Sequence, residues 1–142
     1  MLDSKWKALQ SGSDIRGVAL EGVEGQAVNL TKEVVHTLGK AFALWLSHKV
    51  KKDLTDLRIG VGMDSRLSGP ELKKAVIQGI IELGSHVFDC GLASTPAMFM
   101  TTVTEGYEYD GSVMVTASHL PLNRNGLKFF TKDGGLEKED IT

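Results

Sequence analysis

Gly111-Ser112-Val113-Met114-Val115-Thr116-Ala117-Ser118-His119-Leu120-Pro121 is the stretch that decides how this chain reads. Its first half is apolar at consecutive positions, as in a strand covered on both faces by helices. At Thr116 it turns abruptly into hydroxyls, a histidine and a proline. In open α/β sheets, sites gather beyond the carboxyl ends of such strands. Ser118, at the centre of that turn, is therefore the first candidate for chemistry.

Working outward, the same alternation of strands and helices recurs. Arg58-Ile59-Gly60-Val61-Gly62-Met63 and His86-Val87-Phe88-Asp89-Cys90 read as strands on either side of a helix from about Gly69 to Gly84. Leu72, Val76, Ile80 and Leu83 give that helix one apolar stripe. Ser68 with Glu71 fits a capping box, Pro70 suits the first turn, and Gly84 suits the far end. An earlier helix, from about Thr31 to Lys51, carries Val34, Leu38, Phe42, Trp45 and Leu46 at three- and four-residue steps. Thr31 is its expected N-cap. A shorter helix is expected from Thr95 to Thr104. Leu127-Lys128-Phe129-Phe130-Thr131 reads as an antiparallel edge strand, and the stretch from Gly17 as another edge strand. The pattern predicts an α/β fold: a three-layer α/β/α domain with a mixed, mostly parallel sheet, residues 1–142 forming one domain.

Composition narrows the class. The 142 residues are 42% hydrophobic and 24% charged, with a formal net charge of −2. Such a chain folds, and its balance of charge gives no basic patch for nucleic acid or a membrane surface. No apolar run approaches the roughly 20 residues of a membrane-spanning helix. The segment 1–10 lacks the apolar centre of a secretory signal. With Cys90 as its one cysteine, no internal disulfide forms, and a reducing, cytoplasmic setting is expected. A new element begins near Glu137, just before the last residue, so the chain is expected to be one domain of a longer protein.

Three loops follow the three central strands: Asp64-Ser65-Arg66-Leu67-Ser68, Gly91-Leu92-Ala93-Ser94-Thr95-Pro96, and Thr116 to Lys128. Converging on one sheet edge, their hydroxyls, backbone N–H groups and cations make an anion site by composition. Against this stands the ordinary role of such residues as turn formers, and of Asp64 and Arg66 as a surface ion pair. Gly60-Val61-Gly62 lacks the third glycine of a dinucleotide fingerprint, since that position is Ser65. His36, His48 and His86 have no metal-ligand spacing. There is no Gly-x-Ser-x-Gly elbow. His119 adjoins Ser118, but neighbours on a turn rarely face each other, so its service as a base does not follow from adjacency.

These segments together resemble a known family. Thr116-Ala117-Ser118-His119-x-Pro121 with Asn125-Gly126-x-Lys128 resembles the phosphoserine loop of the α-D-phosphohexomutases, the phosphoglucomutases and phosphomannomutases. Ser13-Asp14-Ile15-Arg16-Gly17, Gly62-Met63-Asp64-Ser65-Arg66-Leu67-Ser68 and Ser94-Thr95-Pro96 are similar to three further segments of that family, in the same order.

The resemblance implies the first of four domains of an enzyme that interconverts hexose 1-phosphate and hexose 6-phosphate, of glucose or mannose, through a hexose 1,6-bisphosphate. Ser118 would carry the phosphoryl group. Arg16 and Lys128 would stabilise charge on it. His119 would orient substrate or assist proton transfer. Thr116 and Asn125 would bind phosphate or support the loop. Arg66 would either touch substrate or support the loop through Asp64. Mg2+ would meet the phosphate on Ser118, its carboxylates coming from another domain, because a phosphate oxygen alone holds it weakly. The partners implied are the hexose phosphate and the remaining domains, and the domain alone is expected to be inactive. Leu120 departs from the asparagine that many members carry, which bears on substrate preference. Two other readings remain open: a non-catalytic binding module for phosphate or sugar phosphate, and an inert α/β domain used in assembly.

Overall fold

The computed structural model describes residues 2–142. Its helices are α1 (Ser4–Lys7), α2 (Lys32–Val50), α3 (Gly69–Glu82) and α4 (Thr95–Met100). Its strands are β1 (Gln10–Ser11), β2 (Asp14–Val18), β3 (Arg58–Met63), β4 (His86–Leu92), β5 (Gly111–Val115), β6 (Arg124–Thr131) and β7 (Gly134–Gly135). Among the described residues they form one seven-stranded sheet, ordered β1-β2-β6-β5-β3-β4, with β7 on the end of β6.

The α/β class and mixed sheet agree with the expectation from sequence, but the parallel share is smaller than "mostly". Only β4, β3 and β5 run parallel. The other pairings are antiparallel. The connections explain the split. Helical crossovers join β3, β4 and β5, whereas β5, β6 and β7 follow one another through short turns that only antiparallel neighbours can use.

Side-chain alternation along β5 and β6 divides the core in two. Val113, Val115, Leu127 and Phe129 pack with Phe42 and Leu46 of α2 and Val76 and Ile80 of α3. Met114 and Phe130 point the other way, to Met98 of α4. β5 is buried along its whole length, as its apolar run requires. Gly60 and Gly62 make room on the α4 face. A Cβ at Gly60 would lie 2.8 Å from the Tyr109 ring, and one at Gly62 2.6 Å from Met98 Sδ. Close packing accounts for that glycine pair.

The helices hold some surprises. Thr31 caps α2 through its hydroxyl, 3.2 Å from the Val34 amide. The buried face of α2 is Val35, Gly39, Phe42, Ala43 and Leu46, while Val34, Leu38 and Trp45 are half-buried. The small residue Gly39 turns this face to α3, since a Cβ there would meet the Val76 carbonyl at 2.6 Å. Gly84 takes φ +89° just past α3, as a helix-terminating glycine does. The capping box expected from Ser68 and Glu71 does not form, and Ser68 makes no side-chain cap. Its hydroxyl serves the neighbouring loop instead. α4 ends at Met100, and turns carry the chain to Tyr107.

Two strand expectations change. β2 begins at Asp14, not Gly17, and β6 lies inside the sheet because β2 pairs along its outer edge. Gly126 permits that close approach: a Cβ there would sit 2.7 Å from Arg16 Nη1. Residues Lys138–Ile141 form a 3-10 turn. No helix among the described residues is long and apolar enough to cross a membrane.

Candidate active site

The loops beyond β3, β4 and β5 do converge. A cleft of about 460 Å³ opens there, lined by Asp14, Arg16, Thr95, Ser118, His119 and Lys128 among others. Ser118 stands exposed at the tip of the β5–β6 loop, with φ +55°. A serine in this left-handed region is uncommon, and such strain clusters where function requires it.

The loop is held from below. The Ser118 N–H donates to Thr116 Oγ1 at 3.0 Å. The Thr116 hydroxyl donates in turn to Asp64 Oδ2 at 2.6 Å. The Arg66 guanidinium donates to the carbonyls of Ser118 (2.7 Å), Leu120 (2.8 Å), Pro121 (2.9 Å) and Arg124 (3.1 Å). Its Nε lies 3.6 Å from Asp64 Oδ2. Arg66 is thus consumed by the loop, and of its two expected roles the geometry supports the structural one.

Asn125 is likewise internal. Its Nδ2 donates to Ser68 Oγ at 2.8 Å, and its Oδ1 accepts from the Gly126 amide at 2.9 Å. Its side chain is buried, so it supports the loop and does not line the cleft. Leu120 takes part through its backbone, its amide donating to the Ala117 carbonyl at 3.0 Å. An amide side chain at 120 is therefore unnecessary for the turn.

The cations sit on the other wall. Arg16 donates to Asp14 Oδ2 at 2.9 Å and to the Thr116 carbonyl at 2.6 Å. Lys128 donates to Asp14 Oδ1 at 3.0 Å. Burial pushes the Arg16 guanidinium below its ordinary value, with Asp14 opposing. Among the described residues Lys128 has Asp14 as its one ion-pair partner, and its ammonium also lies 5.7 Å from the Phe130 ring centre. Of the two cations, Lys128 is the freer to meet an anion in the cleft.

His119 corrects one expectation. Adjacent turn residues need not face each other, yet His119 Nδ1 lies 3.3 Å from Ser118 Oγ. The left-handed turn at Ser118 brings the two side chains to the same side. A proton can pass along that contact.

Asp14 is the site residue that sequence reasoning left without a role. Two signals were present: Asp14 and Arg16 fall on one face of a strand, and their neighbour across the sheet is basic. The second needed the antiparallel register Ile15↔Leu127, which extends to set Asp14 opposite Lys128.

Mg2+ is not accommodated by these residues alone. Among the described residues no group of three or more His, Cys, Asp or Glu side chains could hold a metal. Asp14 and Asp64 are each committed to cations or hydroxyls.

Comparison with known proteins agrees with the architecture. A family model described as phosphoglucomutase/phosphomannomutase, alpha/beta/alpha domain I, matches residues 8–142. A phosphoglucosamine mutase of Clostridium tetani is 40% identical over 124 residues, covering 87% of this chain and 25% of the relative. One from Pediococcus pentosaceus is 39% identical over the same share of each. Among solved structures, a phosphoglucomutase/phosphomannomutase family protein from Burkholderia thailandensis superposes with a TM-score of 0.75 at 27% identity, covering 99% of this chain and 29% of that one. The chain spans about a quarter of the length of the curated relatives it matches.

Proposed function

The chain belongs to the phosphoglucomutase/phosphomannomutase α/β/α domain I family, and on that premise we propose that Ser118 carries the phosphoryl group of a phosphohexomutase of which this chain is the first domain. The observation that carries the reading is Ser118 itself: exposed, left-handed at φ +55°, and set in one cleft with Arg16 and Lys128.

In the proposed cycle, phosphorylated Ser118 loses its Oγ–P bond as a sugar hydroxyl gains one. The hydroxyl proton leaves to a base, and the Ser118 oxygen takes up a proton. The resulting hexose bisphosphate turns over in the site. Ser118 Oγ then re-forms its bond to phosphorus as the other sugar O–P bond breaks. Lys128 meets the charge on the moving oxygens, the largest contribution expected in phosphoryl transfer. Arg16 supports it by fixing Asp14 and the Thr116 carbonyl. His119, 3.3 Å from Ser118 Oγ, relays the serine proton. Mg2+ would supply further charge neutralisation when bound through the phosphate and carboxylates outside this chain.

The sugar we infer is glucosamine phosphate, in place of the glucose or mannose implied by motif resemblance. What supports it is the name of relatives at 37% and 40% identity, from Clostridium novyi and Clostridium tetani, both phosphoglucosamine mutases. Glucose and mannose phosphates are the second choice.

Intact mass of the full-length protein before and after incubation with glucosamine 1,6-bisphosphate or glucose 1,6-bisphosphate tests the carrier role. One added phosphate, absent in Ser118→Ala, is expected. If the full-length protein acquires phosphate elsewhere while Ser118 stays unmodified, the reading fails.

A further inference from the structure

Both sides of the strained Ser118 residue are gripped by one short segment of another loop. On the amide side, Ser118 N–H reaches Thr116 Oγ1, whose hydroxyl is anchored on Asp64 Oδ2. On the carbonyl side, Ser118 C=O accepts directly from Arg66 Nη2 at 2.7 Å. The backbone then joins these two grips, since the Arg66 amide donates to Asp64 Oδ1 at 3.2 Å and the Asp64 amide to the Val115 carbonyl at 3.1 Å.

We propose that Asp64 and Arg66 are positioning residues that impose the left-handed backbone of Ser118 and so aim its hydroxyl into the cleft. The argument is one of balance. A non-glycine residue left to itself leaves this region, because its Cβ crowds the backbone there. Charge-assisted bonds to carbonyls are the stronger kind, and four of them converge on a single guanidinium. Fixing the carbonyls of Ser118, Leu120, Pro121 and Arg124 leaves the peptide at Ser118 no room to rotate. Asp64 supplies the complementary acceptor, which orients the Thr116 hydroxyl so that its lone pair faces the Ser118 N–H. Neither residue needs to touch substrate: Arg66 and Asp64 do not line the cleft. A lysine at 66 would keep the charge but has one donor centre where the fork has several, so it could not span four carbonyls.

The proposal rests on the reading of Ser118 as the phosphoryl carrier, and its test reads conformation instead of phosphate. Isotope-labelled chain and its Arg66→Lys, Asp64→Asn and Thr116→Val variants would be compared by NMR. The backbone chemical shifts of Ser118 report its left-handed state, and the exchange rate of its amide reports the grip. In variants whose melting stays cooperative, the Ser118 shifts are expected to leave the left-handed range. Its amide is expected to exchange about tenfold faster or more, the scale of losing the hydrogen bond that it donates to the Thr116 hydroxyl. Amides of β3 and β5 should keep their protection. Left-handed shifts and unchanged exchange at Ser118 in folded Arg66→Lys would overturn the proposal. Should that variant fail to fold, the same result in Asp64→Asn and Thr116→Val would overturn it. Failure of Ser118 in the full-length protein to take up phosphate would instead count against the carrier role and leave this result standing.

Discussion

Asp14 and Lys128 face each other across β2 and β6, with Lys128 Nζ 3.0 Å from Asp14 Oδ1, while the other oxygen of the same carboxylate holds Arg16. One anion therefore keeps two cations on the wall of the cleft. Removing it takes from both the ion pair that they share. Asp14→Ala is expected to lower stability by about 2 kcal/mol, the scale of lost hydrogen bonds to charged groups. Urea unfolding measures this, and a change below ~0.5 kcal/mol would refute the shared-anion account.

The two cations should separate in their effects. Lys128 is partly exposed with a single ion-pair partner, so Lys128→Met is expected to cost less than about 1 kcal/mol of stability. It should nonetheless abolish phosphate uptake at Ser118. Arg16 braces the Thr116 carbonyl from a half-buried position, so Arg16→Met should cost more, about 2–3 kcal/mol. Paired unfolding and intact-mass measurements check the contrast; equal stability losses would contradict it.

Much of this was legible in the sequence, and the limits were physical. The buried strand Gly111–Val115, the helix bounded by Pro70 and Gly84, and the hydroxyl-rich loops all follow from local pattern. What failed was whatever depends on pairing across the sheet. The interior place of β6 required knowing that Asp14–Val18 lies beside it. The Ser68 hydroxyl looked like a cap by spacing, yet Asn125, 57 residues away, claims it. The role of Asp14 was hidden for the same reason. The place of Ser118 in a loop after a central strand was legible because it is a local feature, but its positive φ and its contact with His119 were not.

Glycine replaces Ser118 in the most direct test of strain. At φ +55° glycine has no Cβ to crowd the backbone. Ser118→Gly should therefore match or exceed the parent in stability, by up to about 1 kcal/mol, while losing all phosphate uptake. Ser118→Ala should show no such gain. Thermal melts of the three chains decide this, and a marked loss of stability in the glycine variant would mean that the serine side chain, not the backbone, holds the turn.

Between α2 and α3 the backbones touch at Gly39 and Gly79, the former facing the Val76 carbonyl and the latter that of His36. A methyl group at either site meets backbone, which cannot swing aside as a side chain can. Gly79→Ala is expected to push the helices apart and to cost about 2–3 kcal/mol despite its better helix propensity. By contrast, Gly62→Ala meets side chains alone, the flexible Met98 at 2.6 Å and the Ala93 methyl at 3.1 Å, and should cost less. Urea midpoints of the two variants test the order, which would be wrong if Gly62→Ala proved the more damaging.

Cys90 should be a poor nucleophile. Burial pushes its thiol above the ordinary range, and the neighbouring carboxylate of Asp89 adds to the rise. Both effects disfavour the thiolate, so at neutral pH less of it is present than in a free thiol. Alkylation by iodoacetamide is therefore expected to run slower than for glutathione, and to accelerate as pH climbs past the usual thiol range. The sign can be tested at the second cause. Asp89→Asn removes the charge while keeping the shape, and should speed alkylation at fixed pH without matching glutathione, because burial, the larger cause, remains. An equal rate in parent and variant would place the whole effect in burial. A rate at or above that of glutathione in the folded parent would show that neither burial nor Asp89 holds the thiol protonated.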